Sequence, residues 1–245
     1  MLVDNQKKYI YSKLLEAKKQ NKKLLAVLLD PDKVDLKNIE GLVKKINSAP
    51  ISHIFVGGSI VLDNCVDELI LKLKLFTNLP IIIFPGHPSQ ISKYADGILF
   101  LNLISGRNPD YLIEHQVNSV KTLKNTSLEI IPTGYILIDG GKETAVQRVS
   151  KTSPICQTNL ESICDTALAG TWMGNKLIYL EGGSGALNRV NDEIIKNVSL
   201  QINTPLIVGG GIKNGLEITK AYKSGADIVV IGTAFEDDSN FFNTF

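Results

Sequence analysis

Three glycine-rich turns crowd the last third of the chain. They read Tyr179-Leu180-Glu181-Gly182-Gly183-Ser184-Gly185, then Gly209-Gly210-Gly211-Ile212, then Gly232-Thr233. Each follows a short apolar run. Glycine lets the main chain approach a ligand closely and turn its N–H groups outward, and such a nest suits an anion, phosphate foremost. The first turn also carries a carboxylate. A substrate held by its phosphate on the last two turns would present its remainder near Glu181, which makes Glu181 the candidate general base. Tyr179, two residues earlier, adds a hydroxyl that can hydrogen-bond there or simply pack. A second constellation lies near the start. Asp30 closes an apolar run and is followed by Pro31, Asp32 and Lys33. A carboxylate in that position suits Mg2+, which takes one or two carboxylates and completes its shell with substrate phosphate oxygens. Ser59, after Gly57-Gly58, reads equally as a contact to a metal-bound phosphate and as a helix cap. Asp32 and Asp35 read as caps of the next helix. His87, in a Pro-Gly-His-Pro turn, is a weaker acid–base candidate because no nucleophile motif stands beside it. His53 and His115 read as structural.

These residues need a scaffold that brings distant turns together. Continuous apolar runs at 24–29, 53–56, 80–84, 97–101, 128–138, 177–180, 205–208 and 227–231 fit parallel strands buried on both faces. Helical periodicity fills the intervals 35–47, 61–75, 109–123, 159–174, 190–202 and 214–224, and an extra amphipathic helix precedes the first strand at 5–21. The interval 88–95 is too short for a full helix. Pro132 and Gly134 predict a bend or bulge in the fifth strand. Eight strands in regular alternation with helices predict a (β/α)8 TIM barrel over a doubly wound open sheet, as one domain spanning 1–245. On a barrel the strand C-terminal ends form the working face. The polar residues there form a ring: Asp30, Ser59, His87, Asn102, Asp139, Glu181, Gly211 and Thr233. The turns after strands seven and eight, Gly210-Gly211 and Gly232-Thr233, fall where barrels commonly bind phosphate, with the following helix N-terminus in support.

Composition narrows the alternatives. A formal net charge of +1 in 245 residues gives no electrostatic footprint for nucleic acid. Three cysteines, Cys65, Cys156 and Cys164, show neither disulfide nor metal spacing and read as reduced thiols. With no apolar signal core and no run long enough to span a bilayer, the expected location is cytoplasmic. Gly215 comes one residue too late for a dinucleotide fingerprint starting at Gly209. No lysine lies within the eight strand cores, which disfavours the Schiff-base chemistry of a sugar-phosphate aldolase, the runner-up class. A barrel serving only as a binding module is the third class.

The motifs taken together resemble the geranylgeranylglyceryl phosphate synthase family. The residues that carry the resemblance are Leu29-Asp30-Pro31-Asp32-Lys33, Val56-Gly57-Gly58-Ser59, Pro132-Thr133-Gly134-Tyr135, the segment 179–185, Val208-Gly209-Gly210-Gly211-Ile212 and Gly232-Thr233. The N-terminal extension, and Leu28 two residues before Asp30, resemble the branch shared by archaea and some bacteria. The resemblance implies a barrel whose third helix is irregular or missing. It implies sn-glycerol 1-phosphate as acceptor, a C20 allylic diphosphate as donor, and an ether-lipid precursor as product; a longer heptaprenyl donor is the alternative. It implies Mg2+ on Asp30 and Ser59, and glycerol phosphate on Tyr179, Leu180, Glu181, Gly182, Gly183, Ser184, Gly185, Gly210, Gly211, Gly232 and Thr233. It also implies a homo-oligomer, a hexamer or dimer. The prenyl tail needs an apolar groove, and the gap left by the short 88–95 interval is the expected place. Phe84, Phe100 and Ile104 are candidates for lining it, or for ordinary core.

Overall fold

A computed structural model describes residues 10–58 and 65–232. The eight expected strands form: β1 (Leu24–Leu29), β2 (His53–Val56), β3 (Ile81–Ile83), β4 (Gly97–Leu103), β5 (Glu129–Leu137), β6 (Leu177–Glu181), β7 (Leu206–Gly209) and β8 (Ile228–Ile231). All neighbours run parallel. β1 pairs with β2 through Val27↔Ile54 and with β8 through Val27↔Ile231, so the sheet closes on itself in sequence order and is not an open doubly wound sheet. The apolar runs are continuous because both strand faces are buried. Alternate residues divide the core in two: Leu25, Val27 and Leu29 pack outward against helices, while Leu24 and Ala26 point into the barrel.

The helices are α1 (Ile10–Lys19), α2 (Ile39–Ser48), α3 (Cys65–Leu73), α4 (His115–Leu123), α5 (Ala145–Ser150), α6 (Leu160–Trp172), α7 (Asp192–Gln201) and α8 (Gly215–Lys223). After β3 the chain makes only a 3-10 turn, Pro88–Gln90, in agreement with the short interval read from the sequence. The predicted helix 109–123 opens as a π-helical turn, Asp110–Glu114, before becoming α4. The short α5 was not foreseen. The N-cap of α2 is Asn38, so neither Asp32 nor Asp35 holds that place; Asp35 instead accepts from the Lys37 N–H at 3.0 Å.

β5 departs from expectation, because its register with β4 is unbroken from Gly97↔Glu129 to Leu103↔Tyr135 and contains no bulge. Pro132 is tolerated because its pairing edge faces the start of β6, where its carbonyl accepts from the Lys176 N–H at 2.8 Å and the β6 ladder begins only at Thr133↔Leu177. In a parallel strand a residue's N–H and C=O point to the same side, so the missing donor costs no ladder bond. Gly134 is needed for close approach, since a Cβ there would press on Ile104 and Ile178.

α1 closes the end of the barrel opposite the strand C-termini. Ile10, Leu14 and Ala17 pack into the interior cluster. The Glu129 carboxylate accepts from the Ile10 and Tyr11 N–H groups at 2.7 and 2.9 Å, satisfying donors that a helix start leaves unpaired. At the other end Lys18 pairs with Asp227 at 2.7 Å. Glu129→Ala is expected to lower stability by about 2 kcal/mol in urea denaturation. Substrate affinity should not move, because Glu129 lies at the far end of the barrel; a changed affinity would refute that separation.

Candidate active site

The C-terminal ends of the strands surround a cavity of about 530 Å³. β1 and its loop contribute Asp30 and Lys33, β2 contributes Gly57 and Gly58, and β6 contributes Tyr179 and Glu181. The β6–α7 loop adds Ser184 and Gly185, the β7–α8 loop Gly210 and Gly211, and the end of β8 Gly232. The two constellations read from the sequence therefore meet in one space. Ser59 and Thr233 lie outside the described residues.

Glu181 is 6% exposed. Burial pushes its carboxyl from the ordinary carboxylate range up to about 7, and the Gly183 N–H and the Tyr179 hydroxyl pull the other way. The Gly183 N–H donates to Glu181 Oε1 at 2.6 Å. The Tyr179 hydroxyl is buried next to this carboxylate, yet it meets full hydrogen-bond geometry with no described residue. Burial, with the negative charge of Glu181 nearby, raises both Tyr179 and Tyr135 well above the ordinary phenol value. A buried carboxylate whose proton affinity is pushed toward neutrality at the edge of a cavity is suited to accept a proton from a substrate hydroxyl.

The glycine turns divide their duties. The Gly182 N–H belongs to the ladder, donating to Gly209 O at 2.9 Å, and that of Gly183 is spent on Glu181. Leu180 points outward into the layer between barrel and helices. Of the expected acceptor-binding residues in this loop, Tyr179, Glu181, Ser184 and Gly185 line the cavity, while Leu180, Gly182 and Gly183 do not. Gly210 and Gly211 have φ of +81° and +71°, a conformation that only glycine adopts at little cost. The start of α8 is already capped, with Asn214 accepting from the Glu217 N–H and Glu217 from the Lys213 N–H. The Lys213 and Glu217 amides beside the β7 turn are therefore already used.

On the floor of the cavity Phe84, Tyr135 and Tyr179 meet as an aromatic triad, with ring centroids 5.3–5.8 Å apart. The sequence places Phe84 among the groove candidates and Tyr135 in a motif of the resemblance, with no part assigned; both line the cavity, and Tyr135 stands on the strand beside Tyr179, with which it pairs in register. Beyond the triad the hollow continues as an apolar groove between the 3-10 turn and α4. Ile91, Ile98, Phe100, Tyr111 and His115 line it, and it shares Gly58, Phe84, Tyr135 and Val146 with the cavity. The groove occupies the place of the missing helix. Phe84 and Phe100 are on it, whereas Ile104 is core.

The other ring members do local work. Asn102 Nδ2 donates to Leu112 O at 2.7 Å, fastening the π-helical turn to β4. Asp139 accepts from the Gly141 N–H at 2.9 Å. His87 Nδ1 accepts from the Ser89 N–H, capping the 3-10 turn, and its ring packs 5.2 Å from His115. None of the three lines the cavity that holds Glu181. His53 is buried and pushed down to about 4 by burial, with the Lys13 charge adding to it, as befits a structural residue. Among the described residues no helix is long and apolar enough to cross a membrane.

Residues 17–245 match the PcrB family. The sequence is 57% identical over 235 residues to geranylgeranylglyceryl phosphate synthase of Flavobacterium johnsoniae, covering 96% of this chain and 97% of that one. It is 40% identical over 230 residues to the protein of the same name from Pyrococcus horikoshii, covering 94% and 88%. The fold matches, with a TM-score of 0.89 and 31% identity, the crystal structure of (S)-3-O-geranylgeranylglyceryl phosphate synthase from Thermoplasma acidophilum in complex with substrate sn-glycerol-1-phosphate, covering 96% of this chain and 94% of the other. These matches extend over nearly the whole chain and reach both a bacterial and an archaeal relative, and on them the chain belongs to the PcrB family.

Proposed function

We propose that the protein transfers a geranylgeranyl group from its diphosphate to the C3 hydroxyl of sn-glycerol 1-phosphate, releasing diphosphate and forming geranylgeranylglyceryl phosphate, an ether-lipid precursor. The observation that carries this reading is the position of Glu181, a buried carboxylate pushed up to about 7, in a cavity that also holds Asp30, Lys33 and the glycine turns and runs directly into an apolar groove. The first compartment, about 530 Å³, has room for a small phosphorylated acceptor, and the apolar groove, about 80 Å³, gives the near end of a prenyl chain an apolar path out of it.

The acceptor's phosphate is held on Ser184, Gly185, Gly210 and Gly211, and this orients its free hydroxyl toward Glu181. The apolar groove takes the prenyl tail and brings C1 to the aromatic floor formed by Phe84, Tyr135 and Tyr179. Glu181 accepts the hydroxyl proton as the glycerol oxygen bonds to C1 and the C1–O bond to diphosphate breaks.

Asp30 fits a hard, oxygen-liganded dication. It is a single carboxylate at a strand end, partly exposed to the cavity and backed by Gly58, and Mg2+ needs little more from a protein when substrate phosphates complete its shell. Ser59 belongs to the same proposal. When bound, Mg2+ supplies positive charge that favours departure of the diphosphate. Asp30→Asn is expected to weaken pyrophosphate binding in the presence of Mg2+ by about tenfold. An unchanged Mg2+ titration would move the metal elsewhere.

The direct test incubates the protein with labelled sn-glycerol 1-phosphate, Mg2+ and farnesyl, geranylgeranyl or heptaprenyl diphosphate, and follows label into an organic extract. The expected result is extractable product, most rapidly with the C20 donor. Preference for heptaprenyl diphosphate would change the donor, and no product with any donor would overturn the reading.

A further inference from the structure

We infer that Lys33 is a second ligand for the diphosphate, held by Asp30 as a temporary counter-ion until metal and diphosphate arrive. This rests on the transferase reading above and deepens it. The Lys33 ammonium stands 3.3 Å from Asp30 Oδ2, and both residues line the cavity. The Asp30 carboxylate is otherwise fixed. Its Oδ1 accepts from the Asp32 N–H at 3.2 Å, and a Cβ on Gly58 would come within 3.1 Å of the same oxygen. The backbone is fixed too, since Asp30 O accepts from the N–H groups of Lys33 and Val34 at 3.0 and 3.2 Å. The carboxylate is therefore held in place, and the Lys33 side chain, 53% exposed, rests on it as a long arm.

An ion pair this exposed is worth little, so it yields readily to a stronger competitor. A dication on Asp30 attracts the carboxylate more strongly than an ammonium does and repels the ammonium at the same time. The released arm stays tethered three residues from Asp30, beside whatever anion the dication holds. A diphosphate ester carries more negative charge than one dication cancels, and a charged N–H donor is the strong complement to the remainder. The other cavity-lining lysine among the described residues, Lys213, is committed elsewhere, donating to Leu187 O at 3.0 Å. In the reaction the electron pair of the breaking C1–O bond passes to the diphosphate oxygen, where Lys33 adds positive charge. The acceptor's proton goes to Glu181, and no proton passes through Lys33.

The two roles predict effects of opposite sign. With Lys33→Met, calorimetry should show pyrophosphate binding in Mg2+ weakened about tenfold, the loss of one charge-assisted contact. Binding of Mn2+ alone, followed by its paramagnetic signal, should tighten a few-fold because its competitor for Asp30 is gone. Affinity for sn-glycerol 1-phosphate should stay unchanged, and Lys33→Arg should restore pyrophosphate binding. Unchanged pyrophosphate affinity in Lys33→Met, or weaker Mn2+ binding, would overturn the inference while leaving the transferase reading intact. If the wild-type protein itself bound no pyrophosphate in Mg2+, the inference would fall, while the transferase reading would still stand or fall on product formation.

Discussion

Glu181→Gln should lower kcat by a factor of roughly 10² to 10⁴, the usual contribution of a positioned general base, while leaving the affinity for sn-glycerol 1-phosphate within a few-fold of wild type. Affinity survives because the phosphate is held by the glycine turns, and glutamine retains an oxygen to accept the Gly183 N–H. Near-normal turnover in this variant would remove Glu181 from the mechanism. The wild-type pH profile provides a second check. Only the ionised carboxylate can take the proton, so kcat/KM should rise with pH through about 7. Stability should move in the opposite sense. The folded carboxyl holds its proton up to about 7, whereas an unfolded one releases it near 4.5. Between those values the folded state binds more protons, so stability falls as pH rises across that window, by up to about 3 kcal/mol for a shift of this size. Glu181→Gln removes the buried charge, so it should denature at higher urea than wild type at pH 8, with the difference shrinking toward pH 5. A variant both inactive and more stable at high pH marks a residue kept for chemistry at a cost to the fold.

The barrel was legible because its strands are buried on both faces. Such strands appear as unbroken apolar runs, as at 24–29 and 53–56, and the structure moves their ends by no more than two residues. Elements that depend on local capping or on distant partners were less legible. α5 is too short to show periodicity, although Thr144 and Gln147 form a capping box that marks its start. Pro132 looked like a break because the sequence does not reveal which edge of β5 lacks a neighbour at that point. The site divides in the same way. Glu181, Asp30 and the glycine turns follow directly from position at a strand end. Which amides remain for a ligand does not, because the Gly182 and Gly183 donors are consumed by Gly209 and Glu181, a pairing fixed only when β6 and β7 come together. His87 and Asn102 stand at the expected rim, but their side chains are turned to neighbouring backbone. The place of the groove was legible in the short 88–95 interval, and Phe84 and Phe100 line it; the rest of its wall, from the 3-10 turn and α4, was not, because those segments carry no motif for it, and Ile104 is core.

Gly210→Ala should be among the most damaging single methyls at the site. Two costs combine. At φ +81° an alanine pays about 1–2 kcal/mol of backbone strain. Its Cβ would also fall on Glu181 Oε1 and the Gly183 nitrogen, and 2.7 Å from the Gly182 nitrogen. Two of these three atoms are backbone and cannot swing aside, so the β6 and β7 turns must separate. The expected loss is roughly 3 kcal/mol or more in urea denaturation, with kcat/KM for sn-glycerol 1-phosphate reduced at least about 100-fold, because displacement of a base and a cradle by even an ångström has that effect. Gly174→Ala supplies the comparison. Gly174 follows α6 at φ +93°, and an added Cβ there meets nothing within 4 Å. It should show the backbone strain alone, about 1 kcal/mol, with unchanged kinetics. If Gly210→Ala behaved like Gly174→Ala in both measurements, the close packing of the β7 turn on the Glu181 carboxylate would not be what holds the base and the anion cradle in place.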